Sequence, residues 1–140
     1  MFEYEELKRK FDEASFFYEA DNVDGTNLLR TFFTFEDTNV RATVLVVFPT
    51  DESEYKIYIA NFMKAELGTS QVPQMLEVCN EFNASTKFLK MYMDSEGALI
   101  VERDAALDTF STDDVIHIIL GGVGIIEDKY IKRLLKIKWS

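Results

Sequence analysis

The chain predicts an α+β fold: a twisted, mainly antiparallel sheet of five to six strands packed by helices. Three observations carry this expectation. Several segments place apolar residues at alternate positions, as half-buried strands do. Others repeat them every three or four positions, as amphipathic helices do. The turns between most strand segments are too short for parallel crossovers, so sequential strands pair antiparallel. At 140 residues, 47% of them apolar, the chain suits one domain spanning residues 1–140 with a real core.

A first helix is predicted over 3–14, where Tyr4, Leu7, Phe11 and Ala14 share a face. Residues 15–20 then turn extended and aromatic, and Asp24-Gly25 signals a turn. A strand follows over 28–35. Leu29, Phe33 and Phe35 lie on one face; Leu28, Arg30, Phe32 and Thr34 lie on the other. The next strand, 40–48, is apolar on both sides, so it is expected to be central or covered on both faces. Pro49 and residues 51–54 make a turn before a strand over 55–62.

Gly68, Thr69 and Ser70 precede a helix over 72–84, with Pro73 in its first turn and Met75, Leu76, Cys79 and Phe82 as its buried stripe. A hairpin comes next. Its strands run over 87–93 and from Leu99 to Val101, around the turn Asp94-Ser95-Glu96-Gly97. Leu89, Met91 and Met93 face one way and pair with Leu99 and Val101.

Ser111, followed by Asp113 and Asp114, opens a last helix over 112–137. Its main stripe is Ile116, Ile119, Leu120, Val123, Tyr130 and Leu134. A second stripe, Ile118, Gly122 and Ile125, lies almost opposite. A helix on one sheet buries one stripe, so the second is expected to meet the first helix or another subunit. Ile118, Gly122 and Ile125 are therefore the candidate partner or dimer contact, and a homodimer is the expected form. Gly121, Gly122 and Gly124 either break this helix or let it pack closely.

The chemistry-bearing residues are few. His117 is the single histidine, set among Val115, Ile116, Ile118 and Ile119 with no Ser or Cys at a nucleophile spacing. Cys79 is the single cysteine, read as a small core residue and unable to form an intrachain disulfide. Residues 20–31 only faintly match a calcium loop, because Ala20 and Thr31 stand where carboxylates are needed. Gly121-Gly122-Val123-Gly124 follows a helical segment and has Glu127 where a dinucleotide loop needs glycine. Glu52 with Glu54, and Asp113 with Asp114, are explained by a solvated turn and a helix start. The reading is no catalytic, cofactor-binding or metal-binding residue, and no enzyme.

The net charge is −10, and all 25 acidic residues precede residue 129. The tail carries Lys129, Lys132, Arg133, Lys136 and Lys138. An acidic body argues against a phosphate-backbone partner. The tail cations suit the end of a helix dipole. The start, Phe2-Glu3-Tyr4-Glu5-Glu6, lacks a signal peptide's apolar run, and residues 115–126 are too short to span a bilayer. No membrane partner and a cytoplasmic location are expected.

Asn80-x-x-Asn83, Lys87-Phe88, Asp94-x-x-Gly97-x-Leu99, Asp104 and the helix opening at Ser111 together resemble the bacterial YbjN family. That family is described as sensory-transduction regulators, similar in fold to type III secretion chaperones. The resemblance implies a twisted antiparallel sheet packed by helices, often dimeric, with no catalytic residues to carry over. The functional expectation is a non-enzymatic protein-binding module, chaperone-like or regulatory, whose partner is a protein. The alternative is a small-molecule-binding or enzyme domain with a pocket between the sheet and the last helix.

Overall fold

The computed structural model describes residues 1–50 and 53–140. Asp51 and Glu52 lie outside the described residues, and with them the expected 51–54 turn and the Glu52–Glu54 pair. Helix α1 (Phe2–Glu13) leads into strands β1 (Glu19–Val23), β2 (Thr26–Thr34), β3 (Arg41–Phe48) and β4 (Glu54–Ala60). Helix α2 (Gln71–Ser85) precedes β5 (Lys90–Met93) and β6 (Leu99–Ala106). A 3₁₀ turn, Leu107–Thr109, leads to α3 (Thr112–Ile125), a π turn (Ile126–Tyr130) and α4 (Ile131–Lys138).

The six strands form one sheet in the order β1-β2-β3-β4-β6-β5, and every neighbouring pair is antiparallel. The register fixes which side chains share a face. Leu29, Val46 and Ile57 stand in line across β2, β3 and β4. Val44, Ile59, Val101 and Met91 form the next line across β3, β4, β6 and β5. All seven are buried, and they share one core with Leu7 and Phe11 of α1, Met75 and Phe82 of α2, and Ile119 of α3. The helices therefore cover a single face, and the expected α+β class is the observed one.

Strand β1 is the least legible element. Its five residues are all exposed, and Glu-Ala-Asp-Asn-Val carries no alternation to read. A tight turn at Asp24 and Gly25 nonetheless folds it back onto β2 as an edge strand. Two helices are rotated from the sequence reading. On α2 the buried residues are Met75, Val78, Cys79 and Phe82, while Leu76 is 44% exposed. On α3 Val115, Ile119, Gly122 and Val123 are buried, while Ile116 is half-buried and Leu120 is 47% exposed.

The α-helix runs unbroken through Gly121–Gly124, and its register changes only at the π turn beyond them. The extra residue of a π turn lets Ile126, Tyr130, Ile131 and Leu134 all reach the core.

Candidate functional site

Gly122 resolves the second stripe of α3. A Cβ built there would stand 2.8 Å from Ile59 Cδ1 and 3.3 Å from Leu89 Cδ1. The close approach this glycine permits is to the sheet of its own chain. Ile118 and Ile125 flank it, half-buried, and pack against the same core. Between the sheet and the last helix, where the alternative reading expects a pocket, Val115, Ile119, Ile126 and Leu134 are fully buried, while an open hollow of about 410 Å³ lies beside the end of α4, lined by Phe62, Met63, Ala98, Leu135 and Trp139.

The opposite face of the sheet is different. Leu28 stands beside Val47, Arg30 beside Leu45, and Phe32 beside Thr43. Leu45 stands beside Tyr58, and Tyr92 beside Ile100. Leu28, Phe32, Leu45, Val47, Tyr58 and Ile100 are only half-buried, and none joins the core. Phe17 extends this surface, stacked on Phe32 at 6.2 Å and 69% exposed. An apolar band across a sheet without a covering layer is the kind of patch that marks an interaction surface.

Polar groups frame the band. Arg30 pairs with Glu19 at 3.2 Å and Lys56 with Asp104 at 3.8 Å. Arg41 lies over the Phe32 ring at 4.1 Å. The Tyr92 hydroxyl donates to Glu102 at 2.7 Å. Burial and that hydrogen bond push the Tyr92 phenol above its ordinary range, so it remains a donor. Such exposed pairs add little to stability but set orientation and charge at a rim.

The two reactive side chains singled out in the sequence are not brought together. His117 is exposed on α3. Cys79 is buried on α2, and burial pushes its thiol up to about 11. A thiol held protonated is a poor nucleophile. At pH 8 a thiol reagent should label the native protein far more slowly than the guanidinium-unfolded chain; equal rates would show that Cys79 is open to solvent.

Among the described residues no cluster of three or more His, Cys, Asp or Glu is placed to hold a metal. Much of the basic tail is engaged inside the chain. Lys132 pairs with Asp37, and Arg133 pairs with Glu81, whose carboxyl it holds below the usual range by hydrogen bonding. Lys138 donates to the Lys64 carbonyl at 2.8 Å. Among the described residues no helix is long and apolar enough to cross a membrane.

Sequence reasoning missed the uncovered face. It read β3 as covered on both sides or central. The strand is third of six, hence central, yet among the described residues no layer of the core lies over Leu45 and Val47. Two-sided apolarity marks the strand as central but does not show that both faces carry a layer.

Comparison with known proteins agrees with this architecture. The Yersinia pestis type III secretion chaperone SycH, solved in complex with a stable fragment of YscM2, superposes with a TM-score of 0.53. The two are 14% identical, over 86% of this chain and 94% of SycH. At that identity the likeness is one of fold. No curated protein matches the chain. Residues 28–135 match the YbjN family, described as "Putative bacterial sensory transduction regulator". That match takes in β2 through α4, every element that builds the core except α1, and the chain belongs to the YbjN family.

Proposed function

We propose that the protein is a non-enzymatic binding module, regulatory or chaperone-like, acting as one domain that holds a partner protein on the uncovered face of its sheet. The observation that carries this is the band formed by Leu28, Phe32, Leu45, Val47, Tyr58 and Ile100, half-buried and outside the core. Burying such a surface contributes about 25 cal/mol per Å² of apolar area. Membership of a family described as regulatory supports the reading. So does the solved state of the fold neighbour, a chaperone holding a fragment of another protein. A buried Cys79 whose thiol is pushed up to about 11 and an exposed His117 fit binding better than nucleophilic catalysis.

The test is affinity capture from the source cell with wild type and with the Leu45→Glu/Val47→Glu variant. The variant places two charges on the band and should keep the far-UV spectrum of the wild type. A protein retained by wild type and lost by the variant is the expected result. The same protein held equally by both, or a co-purifying small molecule with no protein, would end the reading.

The assembly is proposed to be a homodimer, with Ile118 and Ile125 now its candidate contacts and the exposed Leu120 beside them. Gly122 lies between them on the same stripe and completes the proposed contact set of Ile118, Gly122 and Ile125. Light scattering decides the point: a monomer at high concentration removes the dimer and leaves the partner face standing.

A further inference from the structure

We propose that a concavity at the β5–β6 end of the uncovered face takes a carboxylate side chain from an acidic segment of the partner protein. This rests on the partner-binding reading above and names the chemistry at one end of that face.

The concavity has a volume of about 350 Å³, and Lys87, Lys90 and Arg103 line it together. Among the described residues none of the three has a carboxylate within ion-pair distance. Of the two carboxylates in the lining, Asp104 has a cationic partner, which leaves one carboxylate against three cations. Glu102 accepts from the Tyr92 hydroxyl, and Asp104 pairs with Lys56. The local surplus is therefore cationic, in a chain of net charge −10.

Arg103 is the pivot. Its guanidinium lies 5.0 Å from the Phe88 ring centroid, and Nη1 donates to the Phe88 carbonyl at 3.4 Å. Its Nε is buried without an acceptor among the described residues. Register sets Arg103 opposite the buried Ile57, so its side chain leaves from the covered side, and only the guanidinium end against Phe88 is placed to meet an incoming carboxylate.

The other walls narrow the ligand. Phe88 is 69% exposed and offers a flat apolar ring beside the cations. The methylene stem of an acidic side chain can lie on it while the head meets the lysines. A free phosphate suits the site less well, because it has no apolar stem to lay on the Phe88 ring. Lys90 and Tyr92 also belong to the uncovered face, so a chain lying on the apolar band reaches the concavity without leaving the surface.

The test uses the full chain and nuclear magnetic resonance titration with a blocked peptide, acetyl-Leu-Asp-Glu-Leu-amide. Its neutral twin carries Asn and Gln in place of the acids. The expected result is shifts centred on Lys90, Tyr92 and Arg103, with the twin at least ten-fold weaker. Lys87→Glu/Lys90→Glu should weaken the acidic peptide at least ten-fold, and Lys87→Gln alone should weaken it less. Lys136→Glu on α4 should leave it unchanged. Equal binding of the twin, or shifts elsewhere, overturns the proposal. Succinate or inorganic phosphate binding as tightly as the peptide overturns it too, since the source is then a free anion. The partner reading is tested separately at Leu45 and Val47. Capture lost there, with the peptide silent here, sinks only the concavity.

Discussion

Gly97→Ala is expected to destabilise the fold by about 3 kcal/mol, through backbone strain and a steric clash acting together. Gly97 has φ +90°, a region where a Cβ is strained. The clash is worse than the strain. A Cβ there would stand 2.5 Å from the Ala65 carbonyl oxygen, which belongs to backbone and cannot rotate away. That oxygen is near because the chain after β4 is stitched to the β5–β6 turn. The Ala65 amide donates to the Gly97 carbonyl at 2.8 Å, and the Leu99 amide donates to the Met63 carbonyl at 3.0 Å. Relieving the clash would pull this segment away, and Phe62, Met63 and Ala65 are all buried on it. Urea unfolding measures the loss. Gly124→Ala is the control, since a Cβ there meets open space and alanine favours a helix interior by about 1 kcal/mol. If Gly97→Ala unfolds within about 1 kcal/mol of wild type, the stitched turn yields to the added methyl and is not rigid.

That turn also shows how much was legible in the sequence. Asp94, Gly97 and Leu99 are letters of the YbjN resemblance, and each has a structural task. The Asp94 carboxylate accepts from the Glu96 and Ala98 amides at 2.9 and 3.0 Å, Gly97 adopts the left-handed backbone, and Leu99 is fully buried. The alternation in β2 through β6 predicted the sheet because side-chain period and pleat are the same quantity. What failed was phase and coverage. The last helix is apolar on nearly every side, so periodicity could not choose between Ile116 and Val115. The contact that settles it is Gly122 against Ile59 and Leu89, made by the absence of a side chain. Leu45 and Val47 read as core because an uncovered apolar face and a core are built from the same residue types. Lys87 and Lys90 are far from Arg103 in sequence; the β5–β6 pairing sets Lys90 beside Glu102, and the Arg103 guanidinium joins them by lying over the Phe88 ring.

Asn83→Ala is expected to cost about 2 kcal/mol, as two backbone groups lose their partners at net values near 1 kcal/mol each. Strand β5 is an edge of the sheet, and Met91 turns its amide and carbonyl away from β6. Asn83, near the end of α2, satisfies both. Its Oδ1 accepts from the Met91 amide at 2.8 Å, and its Nδ2 donates to the Met91 carbonyl at 3.0 Å. One side chain thereby stands in for a neighbouring strand. It also ties α2 to β5, where Phe82 and Met91 share the core. An unpaired edge is a template for another chain, so the loss should have a second signature. The variant should associate at concentrations where wild type keeps its own assembly state, and its Met91 amide should exchange faster. Asn83→Asp keeps the acceptor but sets a carboxylate against the Met91 carbonyl, and should lose at least as much. An unchanged unfolding midpoint together with a protected Met91 amide in Asn83→Ala would show that water or a backbone shift replaces the clamp. The edge would then be closed by the packing of α2 rather than by its asparagine.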